Sequence, residues 1–537
     1  MENDAFRHGD LLNGPNIEEK RSPSAALSAW LLIGITVIGA LFRFYGLTEK
    51  QIWLDEAWSF SIARLPFTKF FLTLWDREAG MALYFFLLHI WLHLGTSLGS
   101  IRALSVIFSV ATIPIVYALG VRLYGKTAGL LAAWVLALNA FHIRYAQEAR
   151  SYAMLAFFSA LATWILVRNL QQLRSPRWGA YTIACALLVY SHTLGTLIIV
   201  VHALWLFCLP RSEVPWRQVA RSYAWLACCL APLVVFSLKT GTNRVDWIEP
   251  IGPRTMLFFW EVLAGNQGVE LLILEVIAIG IIIFTTVRAP KNTQGIRSGQ
   301  GDVLVLAWLF IPVTALLAAS LVHPLFIPRY LISCAPALAL AVGAGIARIR
   351  RFAPALALLI LISALSVMGT IAYYYKDLDI GRADWERPAN YILDHAQPGD
   401  GIFFYESANQ MIFDFYRSQR KPSPEWPESL NPGGGESPQT DLFPDGAPPL
   451  PALAGSRPAG NRVWLVLTFP SPAPGGKPDT EGRKIRDWFA TGRRRLDVPV
   501  FFPIGVILYS REAENVANAH ESNPQGSTFV SEGTRTR

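Results

Sequence analysis

The feature that most constrains this chain is a series of long apolar runs, repeated from residue 25 to residue 375 and separated by short polar breaks. Hydrocarbon offers no water to satisfy peptide groups, so runs of this kind fold as helices that close their own hydrogen bonds. About 20 residues suffice to cross a bilayer. Eleven candidate runs are counted, several of them short: Ala25–Phe42, Ile101–Leu123, Thr127–Ile143, Ser151–Val167, Trp178–Tyr190, Leu194–Leu209, Arg221–Leu238, Val269–Val287, Val303–Leu321, Leu331–Ala347 and Ala353–Tyr375. The expected class is a polytopic α-helical membrane protein. Composition agrees: charged residues make up 16% of the chain, against about 25% in soluble domains.

The other global features fit that class. Five cysteines all fall inside apolar runs, with neither a disulfide framework nor zinc-ligand spacing. A net charge of +8 reads as the positive-inside bias of a membrane protein and not as nucleic-acid binding. Residues 1–24 are polar and mixed in charge, without a signal-peptide profile. They are expected to be a cytoplasmic tail before a retained anchor.

Met81–Leu94 is the doubtful segment, apolar but short. If it does not span, Lys20/Arg21, Arg122/Lys126, Arg168/Arg174/Arg177, Arg211/Arg217/Arg221, Arg288/Lys291/Arg297 and Arg348/Arg350/Arg351 all fall on one side. If it does, nearly every later cluster moves across. The positive-inside rule favours the first topology, so Met81–Leu94 is expected to be an interfacial or re-entrant helix within a long outer loop, residues 43–100. Asp55/Glu56, His142–Tyr152, Ser191-His192, the 239–268 loop, His323–Tyr330 and everything after Tyr375 are then extracytoplasmic.

The tail reads as a small α/β domain, residues 376–511. Trp385–Ala396 has helical spacing, Gly401–Tyr405 reads as a strand, and so do Arg462–Phe469 and Val498–Tyr509, with a helix at Glu481–Ala490. Residues 421–460 are rich in Pro, Gly and Ser and read as a flexible insertion; residues 512–537 read as a disordered end.

Three polar clusters fall on the outer side. The first is Trp53-Leu54-Asp55-Glu56-Ala57-Trp58, a carboxylate pair between tryptophans, read as loop charge or as a site. The second runs from His142 to Tyr152. If a helix carries Glu148 into the following run, Glu148 and Tyr152 share a face one turn beyond Arg144, with Arg150 near the headgroup layer. The third is His323-Pro324-Leu325-Phe326-Ile327-Pro328-Arg329-Tyr330, where Arg329 stands at a helix start beside orphan backbone donors, a setting suited to an anion. The plain alternative for these clusters is an interfacial belt of snorkelling side chains. His192, Tyr84 and Glu78 have weaker standing, and Lys239, Arg244, Asp246, Trp247 and Glu249 supply a loop that could cover a cleft.

Carboxylates from two loops, with Arg150 and Arg329 beside them, suit transfer from a phosphate-activated donor held in the bilayer. Arginines stabilise a leaving phosphate, and a carboxylate deprotonates the attacking hydroxyl or amine. No nucleophile–His–acid triad is present, so direct displacement fits better than a covalent intermediate.

The chain resembles the GT-C membrane glycosyltransferases, in particular the bacterial branch related to protein O-mannosyltransferases and lipid A aminoarabinose transferases (glycosyltransferase 39/83-like). The resemblance is carried by Trp53–Trp58, Leu119–Gly129 (LGVRLYGKTAG), Tyr145–Leu155 (YAQEARSYAML) and Ile327–Tyr330 (IPRY), in the family's order across roughly residues 30–335. It implies an inverting transferase with a polyprenyl-phosphate-sugar donor and an envelope acceptor (lipid, glycan or protein). Asp55 would be the general base, Glu56 a helper that positions the acceptor, and Glu148 the second-loop acid. Arg150, Tyr152, Arg329, Tyr330 and His192 would bind the donor, with the contacts to its phosphate falling to Arg150 and Arg329. The family's Pro-Pro-Leu-Tyr start to the re-entrant helix is reduced here to Leu83-Tyr84. No second-loop DxD is present, so no metal is expected to be obligatory, and a divalent cation stays open.

The resemblance implies a bacterial inner membrane as the location. Two rivals stand beside this reading: a protein O-mannosyltransferase proper, and a flippase for lipid-linked sugars. A flippase needs polar groups through the membrane interior, whereas here the ionisable residues gather at one face.

Overall fold

A computed structural model of the chain describes residues 24–172, 176–240, 252–265, 268–288, 299–375, 384–430, 462–468, 480–501 and 504–511. It forms two compact units, Met1–Arg382 and Ala383–Arg537. The expected cytoplasmic tail up to residue 23, residues 241–251 and 266–267 of the 239–268 loop, most of the 421–460 insertion and residues 512–537 lie outside the described residues.

In the first unit, α1 (Ala25–Phe44) is capped by Ser24, whose hydroxyl accepts the Leu27 N–H at 3.1 Å. Three short helices follow: α2 (Leu54–Ala63), α3 (Phe67–Thr73) and α4 (Ala82–Trp91). The ten residues of α4 rise about 15 Å, half of a hydrocarbon core, which fits the non-spanning reading of that segment. Asp55 and Glu56 do not sit in open loop. They occupy the first turn of α2, with Trp53 at its N-cap, where the helix dipole and orphan N–H groups favour acids.

The bundle continues with α5 (Leu98–Tyr124), α6 (Lys126–Leu138), α7 (Ala140–Ala146), α8 (Tyr152–Gln171), α9 (Trp178–Ser191), α10 (Thr196–Cys208), α11 (Trp216–Thr240), α12 (Pro253–Ala264), α13 (Gly268–Arg288), α14 (Gln300–Ser320), α15 (Ala335–Ala347) and α16 (Phe352–Tyr375). All eleven expected runs are helical. Among the described residues eight helices are long and apolar enough to cross a bilayer, and the pair α6–α7, bent by 59°, makes a ninth if taken as one span; α9 and α10 are shorter. The bend has a cause. The Asn139 side chain accepts the His142 N–H at 2.9 Å and donates to the Leu263 and Ala264 carbonyls at 3.0 and 3.2 Å, replacing helical bonds lost at the break.

Small residues set the close packing. Gly125, at φ 92°, turns α5 into α6. A Cβ at Gly343 of α15 would stand 2.5 Å from the Ala132 nitrogen of α6, so these backbones approach as only small side chains allow. The buried Arg43 is met by the Gly39, Leu136 and Ala137 carbonyls, Ser109 and His142, all within 3.1 Å. Its charge is thereby dispersed over hydrogen-bond acceptors inside the bundle.

The second unit contains α17 (Glu386–His395), β1 (Gly401–Phe404), α18 (Gln410–Ser418), β2 (Glu428–Ser429), β3 (Arg462–Thr468), α19 (Thr480–Ala490), β4 (Arg493–Leu496) and β5 (Ile504–Arg511). The sheet order is β2-β1-β3-β5-β4, parallel across β2-β1-β3 and antiparallel across β3-β5-β4. Phe403, Val463, Leu465 and Ile507 pack against Ile485 and Phe489 of α19, giving the unit its own core. The expected strand at 498–509 begins only at Ile504, and β4 and α18 were not expected.

Candidate active site

Four segments from distant parts of the chain converge around Asp55: the first turn of α2, the turn between α7 and α8, the break between α9 and α10, and the residues entering α15. Asp55 is 27% exposed, and its Oδ2 lies 3.9 Å from Arg150 Nη2 and 3.8 Å from Arg329 Nη2. Arg150 also donates to the Asp55 carbonyl and the Ser59 hydroxyl at 3.4 Å. One reachable carboxylate thus stands between two guanidiniums.

Arg150 owes its position to a tight turn. Residues 147–151 leave the helix, and α8 starts only at Tyr152, so the condition under which Glu148 and Tyr152 would share a helix face is not met. The Arg150 N–H instead donates to the Glu148 carbonyl at 2.8 Å, and Gln147 is pinned through its side chain to the Arg43 and Tyr45 carbonyls. The Glu148 side chain lies under the surface, 4.0 Å from Arg144. Burial works against the Arg150 charge, but Asp55, Tyr152 and Glu78 outweigh it and hold the guanidinium firmly protonated.

Glu56 occupies a different setting from its neighbour. It is fully buried and takes both arms of Arg102, Nε to Oε1 at 2.8 Å and Nη2 to Oε2 at 2.7 Å. Its Oε1 also accepts the Ala149 N–H at 2.8 Å, which ties α2 to the Arg150 turn. Arg102 reaches on to the Leu47, Lys50 and Gln51 carbonyls.

Aromatic rings form the walls. Arg329 lies 5.5 Å over Trp53 and 5.9 Å over Tyr330; Arg150 lies 5.9 Å over Tyr152. His192 stands 6.1 Å from Tyr152 and 5.6 Å from Tyr330. Its Nδ1 accepts the Leu194 N–H, leaving the proton on Nε2. Burial first, then Arg150 and Arg329, push this imidazole down to about 3, so it is neutral. Glu78 accepts from Trp58 Nε1 at 3.0 Å, and Tyr84 reaches Ser105, whose hydroxyl donates to the Arg150 carbonyl.

The structure therefore brings together all eight residues singled out, Asp55, Arg150, Tyr152, His192, Arg329 and Tyr330 around the reachable space and Glu56 and Glu148 below it. Arg102 and Ser59 were missed. Arg102 carried a signal, since a charge inside an apolar run demands a partner. Lys239 pairs with Asp76 at 2.7 Å; Arg244, Asp246, Trp247 and Glu249 lie outside the described residues. Among the described residues no group of three His, Cys, Asp or Glu side chains could hold a metal ion.

Comparison with known proteins bears on this geometry. Residues 81–239 match the family described as dolichyl-phosphate-mannose-protein mannosyltransferase. The fold is similar to that of ArnT from Cupriavidus metallidurans bound to undecaprenyl phosphate, with a TM-score of 0.61 at 11% identity, covering 91% of this chain and 99% of that one. It is equally similar to the same protein in the apo state, with a TM-score of 0.61, 11% identity, and 90% and 98% covered. No curated protein matches the sequence significantly. The chain is thus a multi-pass membrane protein with an ArnT-like fold, and its match to the mannosyltransferase family spans residues 81–239.

Proposed function

We propose that the protein is an inverting glycosyltransferase that moves a sugar from a polyprenyl-phosphate donor to an envelope acceptor on the extracytoplasmic face of a bacterial inner membrane. One observation carries the reading: a reachable carboxylate, Asp55, within 4 Å of two guanidiniums, Arg150 and Arg329. The undecaprenyl phosphate bound by the similar ArnT supports the donor class.

In this scheme the donor phosphate occupies the space between the arginines and takes over their donors, releasing Asp55. The acceptor hydroxyl or amine attacks the anomeric carbon from the face opposite the phosphate. Asp55 accepts the acceptor's proton as the new bond to carbon forms, and the bond from carbon to the phosphate oxygen breaks. The polyprenyl phosphate leaves with its added negative charge held by Arg150 and Arg329. Tyr152, Tyr330 and neutral His192 line the donor space, and Glu56 and Glu148 hold α2 and the Arg150 turn in register.

Asp55→Asn tests the assignment. Turnover should fall by about a hundredfold or more, while donor affinity and thermal stability stay near those of the parent. Normal turnover in this variant would remove Asp55 as the base.

A further inference from the structure

Far from the transfer site in the chain, α13 carries an acid that the scheme above does not use. Glu275 is 1% exposed, and neither side-chain oxygen has a hydrogen-bond partner among the described residues. It lines a cavity of about 310 Å³ whose other walls are apolar, from Trp260 and Leu263 of α12 through Ile279 of α13 to Leu309 and Phe310 of α14. That volume suits a small ligand. Val276, Gly280 and Ile283 at its edge are exposed on a helix long enough to cross the bilayer, so the cavity opens sideways to lipid.

An acid without a partner in such a wall is costly, and intramembrane acids without a structural role mark ligand or ion sites. A ligand that enters from lipid has to be apolar over most of its surface. To sit on the ionised carboxylate its head has to donate to two oxygens, and an alcohol brings one donor where a primary ammonium brings three. An ammonium also leaves the pair with no net charge in the apolar wall. We propose that this cavity binds a lipophilic primary amine, its hydrocarbon body against Trp260, Ile279 and Phe310 and its ammonium on the Glu275 carboxylate.

The test uses the full chain in phosphatidylcholine nanodiscs and labelled decylamine as probe, with empty discs as the partition blank. The expected result is saturable binding that Glu275→Gln weakens about tenfold or more, with decan-1-ol competing at least about tenfold more weakly than unlabelled amine. Gly280→Leu provides a second variant with Glu275 intact. A Cβ there meets nothing within 4 Å and the position is exposed at the cavity's edge, so a leucine narrows the lipid-facing mouth without its Cβ striking backbone, and it should weaken binding to a similar degree. Absence of saturable binding, equal competition by the alcohol, or undiminished affinity in Gly280→Leu would each overturn the proposal.

Discussion

Asp55 and Glu56 are adjacent in sequence and differ sharply in surroundings. Asp55 is partly exposed between two arginines; Glu56 is buried against Arg102. Substitution at the two positions should therefore fail in different ways. Glu56→Gln leaves the Arg102 charge buried without its counter-ion, and thermal unfolding should show a loss of about 3–5 kcal/mol. A double variant, Glu56→Gln with Arg102→Met, should regain much of it, because the stranded charge is gone. Arg150→Ala should weaken donor binding about tenfold or more, at a charge-assisted contact, with protein yield retained. His192 sets a pH dependence of stability. Its folded value, about 3, lies below the ordinary 6.5, so above pH 6.5 both folded and unfolded forms are neutral and it contributes no slope. Between pH 6.5 and 3 the unfolded chain binds the extra proton, and stability falls by at most about 1.4 kcal/mol per pH unit. His192→Gln should flatten that part of the curve of Tm against pH.

At the scale of elements, close packing of α6 on α15 governs whether the bundle assembles. Gly343→Leu would place its Cβ 2.5 Å from backbone at Ala132, and a backbone cannot swing aside as a side chain can. Overpacking of this kind costs about 1–3 kcal/mol, readable as a lower Tm in detergent. Which parts of the architecture could be read in advance follows the range of the forces involved. The apolar runs declared their helices because membrane burial is a property of each run by itself. The short α4 followed from length. The bend at Asn139 and the turn at 147–151 did not, since each depends on partners far away in the chain, the Leu263 and Ala264 carbonyls for one and the Arg43 and Tyr45 carbonyls for the other. The same holds for Arg102, whose charge was visible but whose acid, Glu56, lies 46 positions earlier. Strand β4 is four residues, three of them arginine, and a short charged edge strand leaves little periodicity to detect.

At the scale of the whole molecule, the topology rests on Met81–Leu94 remaining on one side of the membrane. In a cysteine-free background, Leu94→Cys should be labelled by an impermeant reagent from the extracytoplasmic side. Gln172→Cys, just past the end of α8 and beside the Arg122–Gln171 contact, should be labelled only after the membrane is opened. The reverse pattern would invert the orientation and place the proposed site in the cytoplasm. One tie described above bears on how a donor enters. Because Glu56 grips both Arg102 and the Ala149 N–H, the backbones that carry Asp55 and Arg150 are tied together, so a ligand that separates these two side chains does so by turning them and not by parting the chain. Arg329 comes from a separate stretch of chain, the 3-10 segment Pro328–Cys334. The site is built like a vice whose one jaw, α2 with the 147–151 turn, is a tied backbone and whose other carries Arg329.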